Sequence, residues 1–137
     1  MTVTRRLDDQ LMVCGQVAVE DVGGLPAQGV TMLINNRPDG EEPGQPAAGD
    51  IEAAAERAGL AYRHVPILRG IGPGDVEAMQ DALDEAGTGK VLAFCRAGNR
   101  SALVAALARR RQGRGRAEIV QQLIDAGFDP MPIDHLL

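Results

Sequence analysis

The sequence predicts an α/β domain built on a mostly parallel sheet of four or five strands flanked by helices. Short apolar runs alternate with helical segments along the 137 residues, and this alternation is typical of a parallel sheet covered by helices. The runs are too short for buried helices and are rich in aliphatic side chains. The length fits one folding unit with a real core, so we predict a single domain over residues 1–137.

Four apolar runs are predicted to be strands. The run 30–36 is the clearest, because it is aliphatic and partly β-branched. Between the second and third runs, residues 37–49 contain three prolines and three glycines, which predicts a loop. The predicted strands cover residues 11–15, 30–36, 61–67 and 90–94.

Helical patterns fill the remaining segments. We expect Asp50 to cap one helix and Asp75 to open the next, because a side-chain oxygen at this position accepts a free backbone N–H. Glycines close several of these segments, as is common at helix ends. The predicted helices cover residues 18–29, which glycine and proline interrupt, and residues 51–60, 75–87, 99–112 and 116–127.

Composition excludes several classes of function. A net charge of −5 argues against general nucleic-acid binding. No apolar run approaches the roughly 20 residues of a membrane helix. Two cysteines outside any CxxC motif and two histidines do not supply a metal site. We therefore expect a cytoplasmic protein with no cofactor, no metal, no nucleic-acid partner and no membrane partner.

Charge is divided between two segments. Residues 37–57 carry six acidic side chains and two arginines, whereas residues 96–116 carry seven arginines and no acidic side chain. These segments are expected to form separate surfaces or partly to face each other. Loops 37–49, 68–74 and 95–98 all follow predicted strands, and ligands bind at the carboxyl ends of such strands.

The loop after the last strand is the main candidate site. A strand delivers Cys95 to the sheet edge, and a helix is predicted to begin at about Asn99. The small residues Ala97 and Gly98 allow the turn between them to aim backbone N–H groups at an anion. Such a turn lies at a helix N-terminus, which carries about half a positive charge.

Two arginines surround this cysteine. Arg96 and Arg100 are misplaced at a helix start unless an anion lies between them, because the helix dipole favours acidic groups there. They predict a Cys95 thiolate that forms well below the free-thiol pKa of about 8.5. Ser101 is expected to donate a hydrogen bond to that thiolate or to cap the helix. The alternative is that Cys95 is a small buried hydrophobic residue.

Other candidates are weaker. Arg37 and Asp39 follow a central strand and either reach the cysteine loop or form a local pair within a Pro-Asp-Gly turn. We interpret Asp75 chiefly as a helix cap. Most charge on the 37–49 loop, including Glu41 and Glu42, is interpreted as solvated surface.

The segment "CRAGNRS" fits the rhodanese-type loop Cys-Arg-x-Gly-x-Arg, whose cysteine carries transferable sulfur as a persulfide. "INNRPDGEEPGQP", "AGLAYRHVPI", "KVLAFCRAGNRSA" and "AGFD" resemble a bacterial family described as sulfurtransferases. It is also called the beta-lactamase-hydrolase-like, phosphatase-like domain family. The resemblance implies the fold of tyrosine and dual-specificity phosphatases.

The chain departs from the phosphatase signature in three ways. Only four residues separate Cys95 from Arg100, where phosphatases of that fold have five, and Phe94 replaces the usual preceding histidine. Asp75 is the only aspartate on the loop where those enzymes carry an acid. The shorter loop and the missing acid favour sulfur transfer over phosphoester hydrolysis.

The leading hypothesis is a sulfurtransferase that carries sulfur as a persulfide on Cys95. Its partners would be a small anionic or persulfide substrate and a thiol acceptor. The alternative is a cysteine-dependent phosphatase with a phosphocysteine intermediate, and the third hypothesis is a non-catalytic anion-binding module. A free, ionisable cysteine separates the first two from the third.

Overall fold

A computed structural model describes residues 3–137, and its centre is one five-stranded sheet. The strands are β1 (Arg5–Arg6), β2 (Leu11–Cys14), β3 (Val30–Asn35), β4 (Ala61–His64) and β5 (Lys90–Phe94). They lie in the order β1-β2-β5-β3-β4, with only β1 antiparallel to its neighbour. The predicted α/β class with a mostly parallel sheet is confirmed. The single-domain assignment of residues 1–137 stays a prediction, and residues 1–2 lie outside the described part.

Helices cover both faces of the sheet. None of those in residues 3–137 is long and apolar enough to span a membrane. The α-helices are α1 (Val19–Val22), α2 (Ala48–Arg57), α3 (Pro73–Ala86), α4 (Asn99–Arg111) and α5 (Arg116–Asp125), and two 3-10 helices cover Pro26–Gln28 and Met131–Leu136.

The core has two layers, one on each face of the sheet. Alternate strand residues point to opposite faces, so Ile34 and Ala93 pack on the side of α3 and α4. Leu33 and Leu92 pack on the side of α1 and α2. Helix α4 is buried from Ser101 to Arg109, which fixes the direction in which its first turn meets the end of β5.

Backbone hydrogen bonds continue past the strand ends and tie the following loops together. The N–H of Asn36 donates to the Phe94 carbonyl at 2.7 Å, and the N–H of Ile67 donates to the Asn36 carbonyl at 3.0 Å. The N–H of Cys95 reaches the Cys14 carbonyl at 3.4 Å. The loops after β3, β4 and β5 therefore meet at one sheet edge, as predicted.

Some predicted boundaries were wrong, and one strand was not predicted. Helix α2 begins at Ala48, so Asp50 lies in its first turn rather than capping it. Strand β4 ends at His64 and not at residue 67. Pro66 lies just beyond this end and has no backbone N–H to donate to a neighbouring strand. Strand β1 was not predicted, because its two arginines are exposed and show no hydrophobic periodicity.

Candidate active site

Cys95 lies at the bottom of the loop between β5 and α4. Its side chain is buried, and the N–H of Gly98 donates to its Sγ at 3.1 Å. Gly98 has a φ of +94°, which side chains disfavour, and a Cβ there would lie 3.4 Å from the Cys14 backbone. The loop therefore turns tightly enough to direct the backbone N–H of Gly98 at the sulfur. This is the arrangement expected of a turn that aims backbone N–H groups at an anion.

The guanidinium of Arg100 lies beside this sulfur. Hydrogen bonds to Glu41 raise the pKa of Arg100 above its ordinary value, and the charge of Cys95 and a hydrogen bond to it add to the same effect, while burial opposes it. Arg100 also donates to the carbonyl of Ile67 at 3.0 Å. The predicted pairing of Cys95 with Arg100 is thus present in the structure.

Glu41 lies at the centre of the charged groups around the loop. Its carboxylate accepts hydrogen bonds from both terminal nitrogens of Arg100, at 2.7 and 2.8 Å, and from the Nε of Arg37 at 2.9 Å. The hydrogen bond from Arg100 is the largest cause that lowers the pKa of Glu41 to about 2. Glu41 is therefore ionised at neutral pH and cannot release a proton to a reacting group.

Arg37 is a buried cation beneath the acidic loop. Its side chain is only 1% exposed. Besides Glu41 it donates to Glu42 at 2.8 Å and to the side-chain oxygen of Gln16 at 3.0 Å. Arg96, which is exposed, lies 3.6 Å from Glu42. The loop after β3 is thus joined to the cysteine loop and the start of α4 through two arginine–glutamate contacts, Arg96 with Glu42 and Arg100 with Glu41.

Glu41 and Glu42 are exposed, as expected for this loop, but both also bind arginines of the site. The contact of Gln16 with Arg37 was not predicted. The sequence held a signal for these contacts in the opposite charges of segments 37–57 and 96–116. Both segments contain loops that follow parallel strands, so their charged side chains can meet at one sheet edge.

Two predicted supporting carboxylates act as helix caps. Asp39 accepts the N–H of Ala48 at 2.7 Å at the start of α2. Asp75 accepts the N–H of Gly72 at 2.8 Å at the start of α3. The local pair between Arg37 and Asp39, one of the two alternatives, is not formed, because Arg37 donates to the two glutamates and to Gln16 instead.

The remaining predicted loop residues divide between surface and core. Arg96, Ala97 and Asn99 are exposed, whereas Gly98 and Ser101 are buried. The Ser101 hydroxyl has no hydrogen-bond partner among the described residues, so neither predicted role for it, capping or donation to the thiol, is observed.

Cys14 lies in the neighbouring strand, within the apolar layer that contains Phe94. Burial, with a smaller effect from Cys95, raises the pKa of the Cys14 thiol to about 12. A thiol of that pKa is almost fully protonated at neutral pH and is a poor nucleophile. Cys14 therefore has a packing role in this layer.

Residues 3–111 match the family described as "Beta-lactamase hydrolase-like protein, phosphatase-like domain", and the chain belongs to that family. A relative from Xylella fastidiosa, called a beta-lactamase hydrolase-like protein, is 38% identical over 125 residues, which are 90% of this chain. Those residues are only 29% of that protein, so the chain spans less than a third of the curated relatives' length.

Solved structures show the same fold. A candidate phosphatase from Neisseria meningitidis is 30% identical with a TM-score of 0.78, over 96% of this chain and 94% of the other. Kinase-associated phosphatase is 16% identical with a TM-score of 0.73, over 96% and 85% of the two chains. The phosphatase-like fold implied by the resemblance is confirmed.

Proposed function

We propose that this domain is a cysteine-dependent phosphoester hydrolase that works through a phosphocysteine on Cys95. The observation that carries the proposal is the buried Cys95 thiol, which accepts the N–H of Gly98 and lies beside the Arg100 guanidinium. The phosphatase-like family and the fold of its solved relatives support it. This reverses the order of the sequence hypotheses, which placed sulfur transfer first.

The reaction would take place in two steps at the sulfur. The Cys95 thiolate attacks phosphorus, so that an S–P bond forms while the P–O bond to the leaving group breaks. Water then attacks the phosphocysteine, releasing phosphate and restoring the thiolate. Loop N–H groups and the Arg100 fork would stabilise the equatorial oxygens, on which negative charge accumulates.

Glu41 would position Arg100 in this reaction. Its two oxygens engage the terminal nitrogens of Arg100, and Arg37 holds it from the other side. A carboxylate bound in this bidentate manner fixes the plane of the guanidinium. Arg37 would therefore act indirectly, through Glu41, and not on the substrate.

The hydrogen bonds and charge of the nearby carboxylates indicate which esters react. Glu41 is ionised, and Asp39 and Asp75 accept backbone N–H groups at helix starts. An alkoxide leaving group needs a proton from a general acid, whereas an acidic phenol leaves readily without one. We therefore expect aryl phosphates to react much faster than alkyl phosphates.

Sulfur transfer is the second candidate. It is favoured because it does not need the general acid that these carboxylates are not placed to supply. The thiolate would attack the outer sulfur of thiosulfate, forming a persulfide as the S–S bond breaks and sulfite leaves with the electron pair. Sulfite leaves without a general acid. The four-residue spacing between Cys95 and Arg100 also makes a smaller loop than the phosphatase signature.

One pair of measurements separates these chemistries. Intact-mass spectra of the protein after brief exposure to an aryl phosphate or to thiosulfate would show which group is added to Cys95, with Cys95→Ser as the control. We expect a phosphoryl group, together with steady release of phosphate. A persulfide from thiosulfate, with no phosphate release from any ester, would reject the phosphatase proposal in favour of sulfur transfer.

A further inference from the structure

An apolar groove begins at Arg100 and leads away from Cys95. Its volume is about 340 Å³, and its walls come from the loop after β4, from α4 and from the C-terminal 3-10 helix. This is within the range of small-molecule pockets, which start at about 300 Å³. The side chains of Ile67, Ile71, Leu103, Ile133 and Leu136 supply most of its apolar surface.

The groove and the anion site share one residue. Arg100 lines the groove, and its Nη1 donates to the carbonyl of Ile67, another lining residue, at 3.0 Å. The same guanidinium lies beside Cys95. A molecule whose anionic group lies on the cysteine loop would therefore place its attached group at the mouth of this groove.

The groove also continues beyond its first part. A second depression of about 230 Å³ shares Ile71 and Leu136 with it and is lined further by Val76, Leu107 and, as its one charged side chain among the described residues, Arg111. Leu136 lies between the two and is 52% exposed. An exposed leucine between two apolar depressions is surface that a ligand can cover with a gain of free energy.

We infer that this groove binds the apolar, preferably aromatic, leaving group of the substrate. The charged side chain among the described lining residues of the nearer part is Arg100, which lies beside Cys95, and apart from His135 the other walls are largely aliphatic. A positive charge at one end and apolar walls beyond it fit a ligand whose anionic group is joined directly to an apolar ring system. The inference rests on the proposed phosphoester chemistry and narrows it to aryl esters with bulky apolar groups.

Binding of non-hydrolysable phosphonates tests the groove without turnover. Calorimetric titration of the intact protein with naphthylphosphonate and with methylphosphonate would give the ratio of their affinities. We expect the naphthyl compound to bind roughly tenfold more tightly, and Leu136→Ser to reduce that ratio roughly threefold or more. Ile124→Ser is the matched control, because Ile124 on α5 is also 52% exposed but lies outside the groove.

Each outcome gives a decision. Equal affinities for the two phosphonates, or a ratio that Leu136→Ser leaves as in the wild type, would overturn the inference. A high ratio that falls in Leu136→Ser and not in Ile124→Ser supports it. If that pattern holds but no aryl phosphate is hydrolysed, the groove stands as a subsite for apolar anions and only the proposed phosphatase reaction fails.

Discussion

Two carboxylates in this protein each bind a pair of arginines, and their surroundings differ. Asp8, in the turn between β1 and β2, binds Arg109 and Arg114. Glu41, beside the cysteine loop, binds Arg37 and Arg100. The first group joins elements far from Cys95, whereas the second contains an arginine that lies beside that thiol.

The Asp8 carboxylate accepts four hydrogen bonds, two of them from the backbone of its own turn. One oxygen accepts the backbone N–H groups of Gln10 and Leu11, at 2.9 and 2.8 Å. The other accepts Arg109 at 3.0 Å and Arg114 at 2.8 Å. The Asp8 and Arg109 side chains are each only 6% exposed, so these two charges are buried together and hold the turn against α4.

The Glu41 carboxylate accepts hydrogen bonds from arginine side chains rather than from the backbone. It is 27% exposed and binds Arg37, on the same loop, and Arg100, in the first turn of α4. It sits on a loop rich in proline and glycine rather than in a tight turn. The comparison teaches that the same charge pattern is completed by backbone donors at the Asp8 turn and by arginine side chains alone beside the cysteine loop, where we propose that it positions Arg100.

The largest effect is expected when Asp8 is removed. Asp8→Ala leaves Arg109 buried without its charge partner, so the free energy of unfolding should fall by about 3–5 kcal/mol. Urea unfolding measures this loss. Asp9→Ala is the control, because the Asp9 side chain is 98% exposed and pairs only at the surface with Arg6. Equal losses in both variants would show that the Asp8 group does not stabilise the fold.

A smaller effect, measured on activity, is expected at Glu41. Glu41→Gln keeps the size of the side chain but loses the charge that fixes Arg100, so kcat/KM for an aryl phosphate should fall about tenfold, equivalent to about 1.4 kcal/mol. Glu56→Gln, at an exposed position of α2, is the control. A more active Glu41→Gln would contradict a positioning role, because it would mean that the carboxylate competes with substrate for Arg100.

The smallest effect concerns pH. Because the pKa of Glu41 falls from the ordinary 4.5 to about 2 on folding, its stabilising contribution is complete above pH 4.5 and is lost as pH falls towards 2. Wild-type protein should therefore lose more unfolding free energy over this interval than Glu41→Gln, by an amount that solvent screening reduces. Urea midpoints at the two ends of the interval measure the difference, and parallel losses would refute it.

Periodicity and turn residues were enough to predict the sheet edge and the cysteine loop. The strand 90–94 and the small residues that follow Cys95 carry that information locally. The role of Glu41 could not be predicted, because its partner Arg100 lies 59 residues away. Asp39 as the cap of α2 escaped prediction for the same reason, since its acceptor reaches Ala48 across a loop without periodicity.

The packing of Gly98 against Cys14 limits how the cysteine loop can be redesigned. Any side chain at position 98 would meet both an unfavourable φ and the backbone of the adjacent strand. Positions 96, 97 and 99 point outward and are exposed. A combinatorial library at those three positions would therefore vary the rim of the site while the donor to the Cys95 sulfur stays in place, which makes the loop a suitable starting point for engineering selectivity.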